Sequence, residues 1–556
     1  MNTNRMRTAT AVVSATALAL GLAACGSSDD DAGTGEESPD GGVAIGADQS
    51  VGAMEDFGVG TTFQATEPVT FSLMYRDHPN YEVTDDWSIF EHLEQDHGVT
   101  FSRTDIPLAD WEQKRSLLIG SGEAADLMPV TYPGQETQFV SGGSLLPVSD
   151  YLEYLPNFRQ KVEEWGLQEE IDNLRQDDDK YYMLPGIREI PDVQYSVVIR
   201  DDLWREAGIT EDPQTWEEFA EDLQTVQDAH PELDYAFSDR WTDGQPLGAL
   251  LNVMGPNFGA AGGWGYANTW YDEQADEFVF NGASDQYRAM LETVRGMVEA
   301  GVMDPEITQS DDQAEQKFIS GRSAALSSNT QEITAHRTKF ADAGVDAELR
   351  LLVIPGGPFG DNLAASRLSS GLMIASAAAE KPHFEALLQY IDWQYYSDEG
   401  IEFAQWGVEG ETFDREADGT RTMKEDIGWN AINPDASEQL NADYGYSNGV
   451  FLLANGTTQD LLESVMSDEI KEWTRAVLER KETLPIAPAA RLDELELEQT
   501  SLLDSQLNDA VQAATAAFIT GQRSLDDWDA FAAEMEGLGA SQIVETYNAA
   551  YARQSD

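Results

Sequence analysis

Short β-type runs alternating with helical patterns restrict this chain's fold more than any other feature of its sequence. Residues 69–75 are rich in β-branched and aromatic types and run into a turn at His78 and Pro79, which reads as a strand. The spacing then predicts a helix over 86–97, a strand over 99–103 and a second helix over 110–121, with Trp111, Leu117 and Leu118 at helical intervals. A short buried strand is predicted over 127–130. Residues 213–219 (PQTWEEF) form a helix start in which Thr215 caps and Glu218 completes a capping box. Strands over 353–355 and 370–376 follow. Beyond about Asp460 the pattern is nearly all helical, with Trp528, Phe531, Met535 and Leu538 on one face. Such alternation is that of an α/β sandwich with a mainly parallel sheet. The 556 residues are enough for two or three domains with sizeable cores, and they show no internal repeat.

The N terminus carries Arg5 and Arg7, an apolar stretch over 9–22, and then Ala23, Ala24 and Cys25. This is the pattern of a secretory signal peptide, and its apolar core is short for a membrane-spanning helix. Cys25 is the only cysteine, so no internal disulfide can form. The ending Leu22-Ala23-Ala24-Cys25 resembles the lipobox of bacterial lipoproteins. That implies an acylated Cys25 as the mature first residue and a lipid anchor on the extracytoplasmic face of the cell membrane. Residues 26–66, rich in Gly, Ser, Asp and Glu, read as a flexible acidic tether that Asp29, Asp30 and Asp31 extend by self-repulsion. No other long apolar segment follows, so the remainder is expected to be soluble. Against 102 Asp and Glu stand 33 Lys and Arg, a formal net charge of −69. Such a field repels nucleic acid and bare anionic lipid. The charge is dispersed, which reads as a solvated surface rather than a patch that selects a cation.

Several segments in order carry a family resemblance. Residues 118–130 (LIGSGEAADLMPV), 144–155 (SLLPVSDYLEYL), 179–185 (DKYYMLP) and 198–208 (VIRDDLWREAG), the last followed by PQTWEEF, resemble the extracellular solute-binding lipoproteins of sugar ABC importers. Residues 318–326 (FISGRSAAL), 406–413 (WGVEGETF) and the closing helices over 524–553 continue the likeness, which is greatest to the branch of alginate- and aldouronate-type oligosaccharide binders. The resemblance covers nearly all of 67–553. It implies a two-lobed, periplasmic-binding-protein-like α/β fold of type II, with a hinge of crossing strands and a helical C-terminal region. Lobe one is expected over 67–185 plus 352–415, and lobe two over 186–351 plus 416–556. The implied partners are an oligosaccharide and the permease subunits of an ABC importer, with a monomeric binder and no cofactor. A peptide or another small solute as ligand is the alternative within the same fold. Members of this branch often carry a calcium loop after the helix that begins Pro-x-Thr-Trp. Here Asp228, Ala229, His230, Pro231, Glu232, Leu233 and Asp234 lack its glycines and alternating oxygen ligands, so no metal is expected.

Sugars present hydroxyls at the ring edge and C–H groups on the faces, so a sugar site pairs aromatic platforms with fixed hydrogen-bonding groups. The candidates lie in loops after strands, where α/β sheets bind ligands. They are Tyr75, Arg76 and Asp77 after the first strand, Tyr132 after the strand at 127–130, and Arg188 and Glu189 past the expected crossing. Trp264, Tyr266 and Trp270 fall in a Gly-rich stretch, with Trp264 foremost. Asn329, Arg367, Trp406 and Glu409 of the family turn, and Trp429 with Asn430, complete the set; packing is an equal reading for the turn at 406–409. Trp204 and Trp216 sit at apolar helical positions and are expected in the core, and Asp177, Asp178 and Asp179 read as a solvated turn.

The competing class is a secreted polysaccharide hydrolase or lyase. The chain has no Gly-x-Ser-x-Gly elbow, His-Glu-x-x-His, P-loop or Gly-x-Gly-x-x-Gly. Of its six histidines, His92 and His97 stand five apart, which is not the i, i+4 spacing of a helical metal site. A glycosidase needs only two opposed carboxylates, which 102 acidic residues neither display nor exclude. The ordered resemblance makes binding without catalysis the expectation.

Overall fold

Two sheets organise the chain, and each contains one strand that runs against the others. The computed structural model describes residues 43–554 except 192, 242–244, 365, 430–431 and 454–456. The leader, Cys25, the first part of the expected tether and Asn430 lie outside the described residues. The strands that matter for the site are β1 (Val69–Asp77), β2 (Val99–Pro107), β3 (Leu127–Thr131), β4 (Leu184–Ile187), β5 (Tyr195–Arg200), β6 (Ala325–Asn329), β7 (Leu349–Leu351) and β8 (Leu368–Ile374). The first sheet has the order β2-β1-β3-β8-β4. In it β1 is parallel to β2 and β3, with Val69 opposite Val99 and Leu73 opposite Leu127, whereas β8 is antiparallel to β3 and β4. The second sheet is β6-β5-β7, with β5 antiparallel to both neighbours. Parallel bridges from Phe237 to Ala325 and Met303 extend it on the β6 side. The fold is therefore α/β and two-lobed, with the same strand pattern in each lobe.

Local signals explain most elements. Thr215 accepts from the Glu218 amide as a helix cap (3.1 Å), but the Glu218 carboxylate takes the amide of Gln214 (2.6 Å) rather than that of the cap. The helix Trp111–Ser121 forms where its spacing predicts, yet it buries Trp111, Arg115 and Ile119 and leaves Leu117 68% exposed. Arg115 lies buried over the end of β3, donating from Nη1 to the Val130 carbonyl (3.0 Å) and Thr131 Oγ1 (3.3 Å). A guanidinium with backbone acceptors can thus occupy a helix face that apolar spacing alone assigns to leucine. The strand predicted over 353–355 does not form. It lies earlier, at β7, where Leu351 pairs with Val198, and Ile354 goes into the core instead. Trp204 and Trp216 are buried, as their helical spacing requires.

Two hydrophobic cores correspond to the two lobes. The first runs from Phe63 to Ile187 and from Leu372 to Leu461; the second from Val193 to Ile354 and from Ile470 to Ile543. The chain passes between them after Ile187, after Ile354 and after Leu461. Three segments differ from expectation, the first being residues 352–363, expected in lobe one, of which Leu352 and Ile354 lie in the second core and Leu363 packs against it. Residues 45–66, read as tether, pack on lobe one: Phe63 is buried against Tyr390 (centroids 6.2 Å), the Val51 amide donates to Pro382 (2.8 Å), and the Ala65 amide to His97 (2.9 Å). Polar composition hid these few apolar anchors. Residues 416–461, expected in lobe two, belong to the first core, where Phe451 sits against Phe90 (5.7 Å) and Phe101 (6.0 Å). The helices Asp468–Arg480, Glu494–Thr520, Trp528–Leu538 and Ala540–Gln554 close lobe two, with Phe518, Trp528 and Phe531 mutually packed. Among the described residues no helix is long and apolar enough to cross a membrane. If residues 45–66 are structural, Phe63→Ala is expected to cost about 3–5 kcal/mol in urea denaturation; a tether residue would cost nothing.

Candidate functional site

A cavity of about 1170 Å³ lies between the two cores. Lobe one contributes the loop after β3 (Pro133, Gly134, Glu136, Thr137) and the segment Glu170 to Gln176, excepting Ile171 and Asp172. Lobe two contributes Gly259 to Gly262, Trp270, Phe280 and Phe359, and a non-helical stretch around Pro485 and Ile486. Among the described residues only two large aromatics are exposed, Tyr132 at 50% and Phe359 at 49%. Phe359 lines the cavity and Tyr132 immediately precedes Pro133 at its rim. Aromatic rings left in water at one concave place mark a binding surface rather than a core.

A second aromatic cluster gathers at one edge of the lobe-two sheet. Tyr195, the first residue of β5, pairs with Asn329, the last of β6, so both stand at one edge. Tyr195, Trp241 and Trp264 cluster there, with ring centroids 5.6 Å (Tyr195–Trp241), 5.5 Å (Tyr195–Trp264) and 5.6 Å (Trp241–Trp264). Half-buried Trp264 lies over Gly248, where a Cβ would stand 2.3 Å from the indole nitrogen. Trp241 has φ +60, a left-handed backbone that costs a bulky residue roughly 1–3 kcal/mol and marks places where surroundings hold a side chain in position. The Arg240 guanidinium lies 4.1 Å from the Trp241 ring, itself held by Glu332 and by the Ser327 carbonyl (3.2 Å). Beside it Asp239 is buried, accepts the Ser327 amide (3.0 Å), and is pushed up to about 6 by burial.

The lobe-one rim is the C-terminal edge of β1 and β3. Val130 adopts φ +59, a strained choice for a β-branched residue, and this aims the chain into the loop that lines the cavity. In that loop Gln135 Oε1 accepts the Tyr132 amide (3.1 Å) and Glu136 Oε2 accepts the Gly134 amide (2.8 Å). Glu136 is buried, and burial pushes its carboxyl up to about 6.

The sequence candidates divide. Trp270 lines the cavity and Tyr132 immediately precedes its lining residue Pro133; Trp264 stands between the lining residues Gly262 and Gly265, Asn329 at the β5–β6 edge, and half-buried Arg76 near the end of β1. Asn329 Oδ1 is occupied by the amides of Gln331 (3.0 Å) and Glu332 (2.9 Å). The other described candidates lie outside the cavity lining. Tyr75 is buried between Trp87 and Phe451, and burial drives its phenol far up. Asp77 Oδ1 accepts the Val83 amide (2.9 Å). Arg188 is buried, its amide donating to the Arg367 carbonyl (2.9 Å). Glu189 accepts the Gln459 amide (2.7 Å) at a helix start. Arg367 is committed to Glu170 (2.9 Å) and the Trp165 carbonyl (2.7 Å). Tyr266 donates to Asn268 (2.9 Å) and packs edge-on to Tyr287. Trp406 is buried and donates to Ser464 (3.0 Å), Glu409 pairs with Arg415 on the surface, and Trp429 closes a turn with Ile432 against the first core. Most of these residues are engaged by packing or capping, which chain position alone does not distinguish.

Trp241, Tyr195 and Phe359 were missed. The Phe237–Trp241 run holds Ser238, Asp239 and Arg240, all buried, so it shows no β-type alternation. Phe359 sits in a Pro-Gly-rich turn, where its exposure is the only signal. Among the described residues no group of three or more His, Cys, Asp or Glu is placed to hold a metal ion. In the segment 228–234, His230 Nε2 pairs with the Leu203 carbonyl (3.1 Å) and Asp234 with Arg322.

Residues 80–395 match the family described as bacterial extracellular solute-binding protein. No curated protein matches the chain. Among solved structures it is similar to the alginate-binding protein AlgQ2 without calcium ion, at 16% identity over 88% of this chain and 99% of that one, with a TM-score of 0.64. It is also similar to an HMO-binding, ABC-transporter-associated solute-binding protein from Bifidobacterium longum infantis (17% identity, 87% and 99% covered, TM-score 0.67). A third is FusA, an ABC-transporter substrate-binding protein of S. pneumoniae in complex with kestose (18% identity, 88% and 99% covered, TM-score 0.62). At these identities the likeness establishes the shared two-lobed fold.

The buried carboxyl in the cavity loop has a measurable consequence. Folding raises Glu136 from the usual 4.5 to about 6, so the folded state holds a proton that the unfolded state releases, and stability falls as pH rises through that window. Glu136→Gln is expected to raise stability above pH 6 by at most about 2 kcal/mol and to leave it unchanged below pH 4.5. A melting-temperature difference constant from pH 4 to 7 would contradict this.

Proposed function

The chain belongs to the bacterial extracellular solute-binding protein family, and from that premise we propose that it captures an oligosaccharide in the interlobe cavity and delivers it to the permease of an ABC importer. The observation that carries the proposal is the gathering of the exposed aromatics Tyr132 and Phe359, with Trp270, around one concavity framed by both lobes. Flat rings of this kind stack on the C–H faces of sugar rings, while Asn252 and Gln176 supply amides for hydroxyls. The alginate, HMO and kestose for which similar proteins are named support the same ligand class.

The mechanism is hinge closure about the three crossings. An open form admits the ligand, and contacts made with both lobes at once favour the closed form, in which the cavity is shielded from water. Only contacts present in the closed state and absent from the open one shift this equilibrium. The cavity residues bind and orient without acting on a bond, and the protein works as a monomer. Cys25 carries the lipid that keeps it at the outer face of the membrane, and the charge of −69 keeps that tethered surface soluble and free of nucleic acid.

In a thermal-shift panel of neutral and uronic oligosaccharides, short peptides and metal ions, a sugar at 100 times its Kd is expected to add about 2.7 kcal/mol, a rise of a few degrees. A response to peptides alone would keep the binder and overturn the ligand. Trp264→Ala should weaken the responding sugar roughly three- to tenfold, one stacking interaction, without lowering the unliganded melting temperature by more than a few degrees. Cys25→Ser should move the protein from the membrane fraction to the medium; retention on the membrane would refute lipid attachment at that residue.

A further inference from the structure

Besides the three crossings, a further connection joins the lobes along the wall of the cavity, on residues 481–493. It rests on the reading of that cavity as the ligand cleft. The helices on either side of this segment, Asp468–Arg480 and Glu494–Thr520, belong to lobe two. At its start Lys481 is buried and donates from Nζ to Asn257 Oδ1 (2.8 Å) and the Pro355 carbonyl (2.9 Å), and Glu482 and Thr483 pair with Asn362 and Leu363. At its end Asp493 caps the following helix in a capping box with Glu496. Gln554 donates to the Ala489 carbonyl (2.8 Å) and Arg553 to that of Arg491 (3.2 Å). Both ends are therefore fixed in lobe two.

The middle of the segment reaches lobe one. Asn173 donates from Nδ2 to the Ala487 carbonyl (2.8 Å) and accepts the Ala489 amide on Oδ1 (3.1 Å), so one side chain reads both edges of the segment. Arg491 Nη1 donates to Asp179 Oδ1 (2.7 Å). The lobe-one partners are themselves held. Asn173 follows the helix Gln168–Asp172, whose Ile171 is in the first core and whose Glu170 is bound by Arg367. Asp179 sits in a left-handed turn (φ +65) with its carbonyl accepting from Arg175 (2.7 Å). Between these contacts Leu484, Pro485, Ile486 and Ala490 face the cavity. Pro485 and Pro488 stiffen the segment, so it transmits a pull rather than absorbing it.

Because these bonds lie outside the crossings, the lobes cannot part on this side without breaking them. We propose that residues 484–492 are a strap that latches lobe two to lobe one, and that Asn173 and Asp179 are positioning residues biasing the empty protein toward its closed form. A ligand then meets a cleft that is already partly organised, and its release requires the latch to open.

The test needs no sugar, so its failure leaves the ligand class standing, and a wrong ligand class leaves the latch standing. In the unliganded full chain carrying Cys25→Ser, spin labels introduced through Leu117→Cys on lobe one and Leu502→Cys on lobe two, both exposed, report the interlobe distance. Asn173→Ala with Asp179→Ala should shift that distribution to longer distances. Asp179→Ala alone should speed hydrogen exchange at the Ala489 amide about tenfold, although its own partner Asn173 is intact, because the latch opens as a unit. Asp177→Ala, in the same turn, should change neither. An unchanged distance distribution in a double variant that melts at the original temperature would overturn the proposal. Should that variant melt lower, Arg491→Gln breaks the latch from the strap side, and unchanged distance and exchange there would overturn it equally.

Discussion

Close approach of backbone at Gly186 and Gly371 packs together the strands by which the chain leaves and re-enters lobe one. These glycines lie on the adjacent strands β4 and β8, where the chain enters and leaves lobe one. A Cβ on Gly371 would stand 1.9 Å from the Leu184 carbonyl oxygen, and one on Gly186 would stand 2.7 Å from that of Leu453. Leu453 lies in the first core ahead of the third crossing, so the strands of the first two crossings and the approach to the third pack where only glycine fits. That convergence keeps the hinge narrow and places the cavity beside it. The antiparallel strand in each sheet has the same origin: β5 arrives from lobe one and β8 from lobe two, each entering against the direction of the strands already there.

The charge distribution follows a second constraint. With 102 acidic side chains and 33 basic ones, carboxylates surround almost every cation. Most of these pairs are solvent-exposed and contribute little, about 0–1 kcal/mol each. The buried charged groups do more for the architecture. Asp392 accepts the amides of Asn157 (2.9 Å) and Phe158 (2.9 Å), tying the start of one lobe-one helix to the middle of another. Lys481, whose amine is lowered to about 8 by burial, joins three separate segments of lobe two at the root of the strap. A chain this acidic stays dispersed in water, and its few buried cations can be placed where backbone carbonyls need donors.

Much of the fold was readable because local chemistry and tertiary environment agree. The strand–helix alternation from β1 through β3, the Thr215 cap and the apolar face of Trp528, Phe531 and Met535 all appear where the sequence indicates. Legibility failed where a long-range partner overrode a local pattern. Arg115 replaced leucine on a buried helix face because β3 offers it carbonyls, and Phe63 anchors a segment whose composition is that of a linker. At the site, Trp264 and Tyr132 were readable as aromatics in loops. Trp241 was not, since its neighbours Asp239 and Arg240 are polar residues buried only because Ser327 and Glu332 satisfy them.

By itself the sequence determined the class of fold, the acidic surface and the pool of aromatics from which a sugar site can be built. Those properties are sums over residues or short-range periodicities, and both are properties of sequence neighbours. Only the tertiary structure decided which aromatics stay in contact with solvent, which lobe claims residues 416–461, and that Asn173 meets Ala487 and Ala489 across the cavity. Each of these depends on two segments more than a hundred residues apart reaching the same place. The free energy that brings them there comes from burying the two cores as wholes, and no local stretch of chain encodes it.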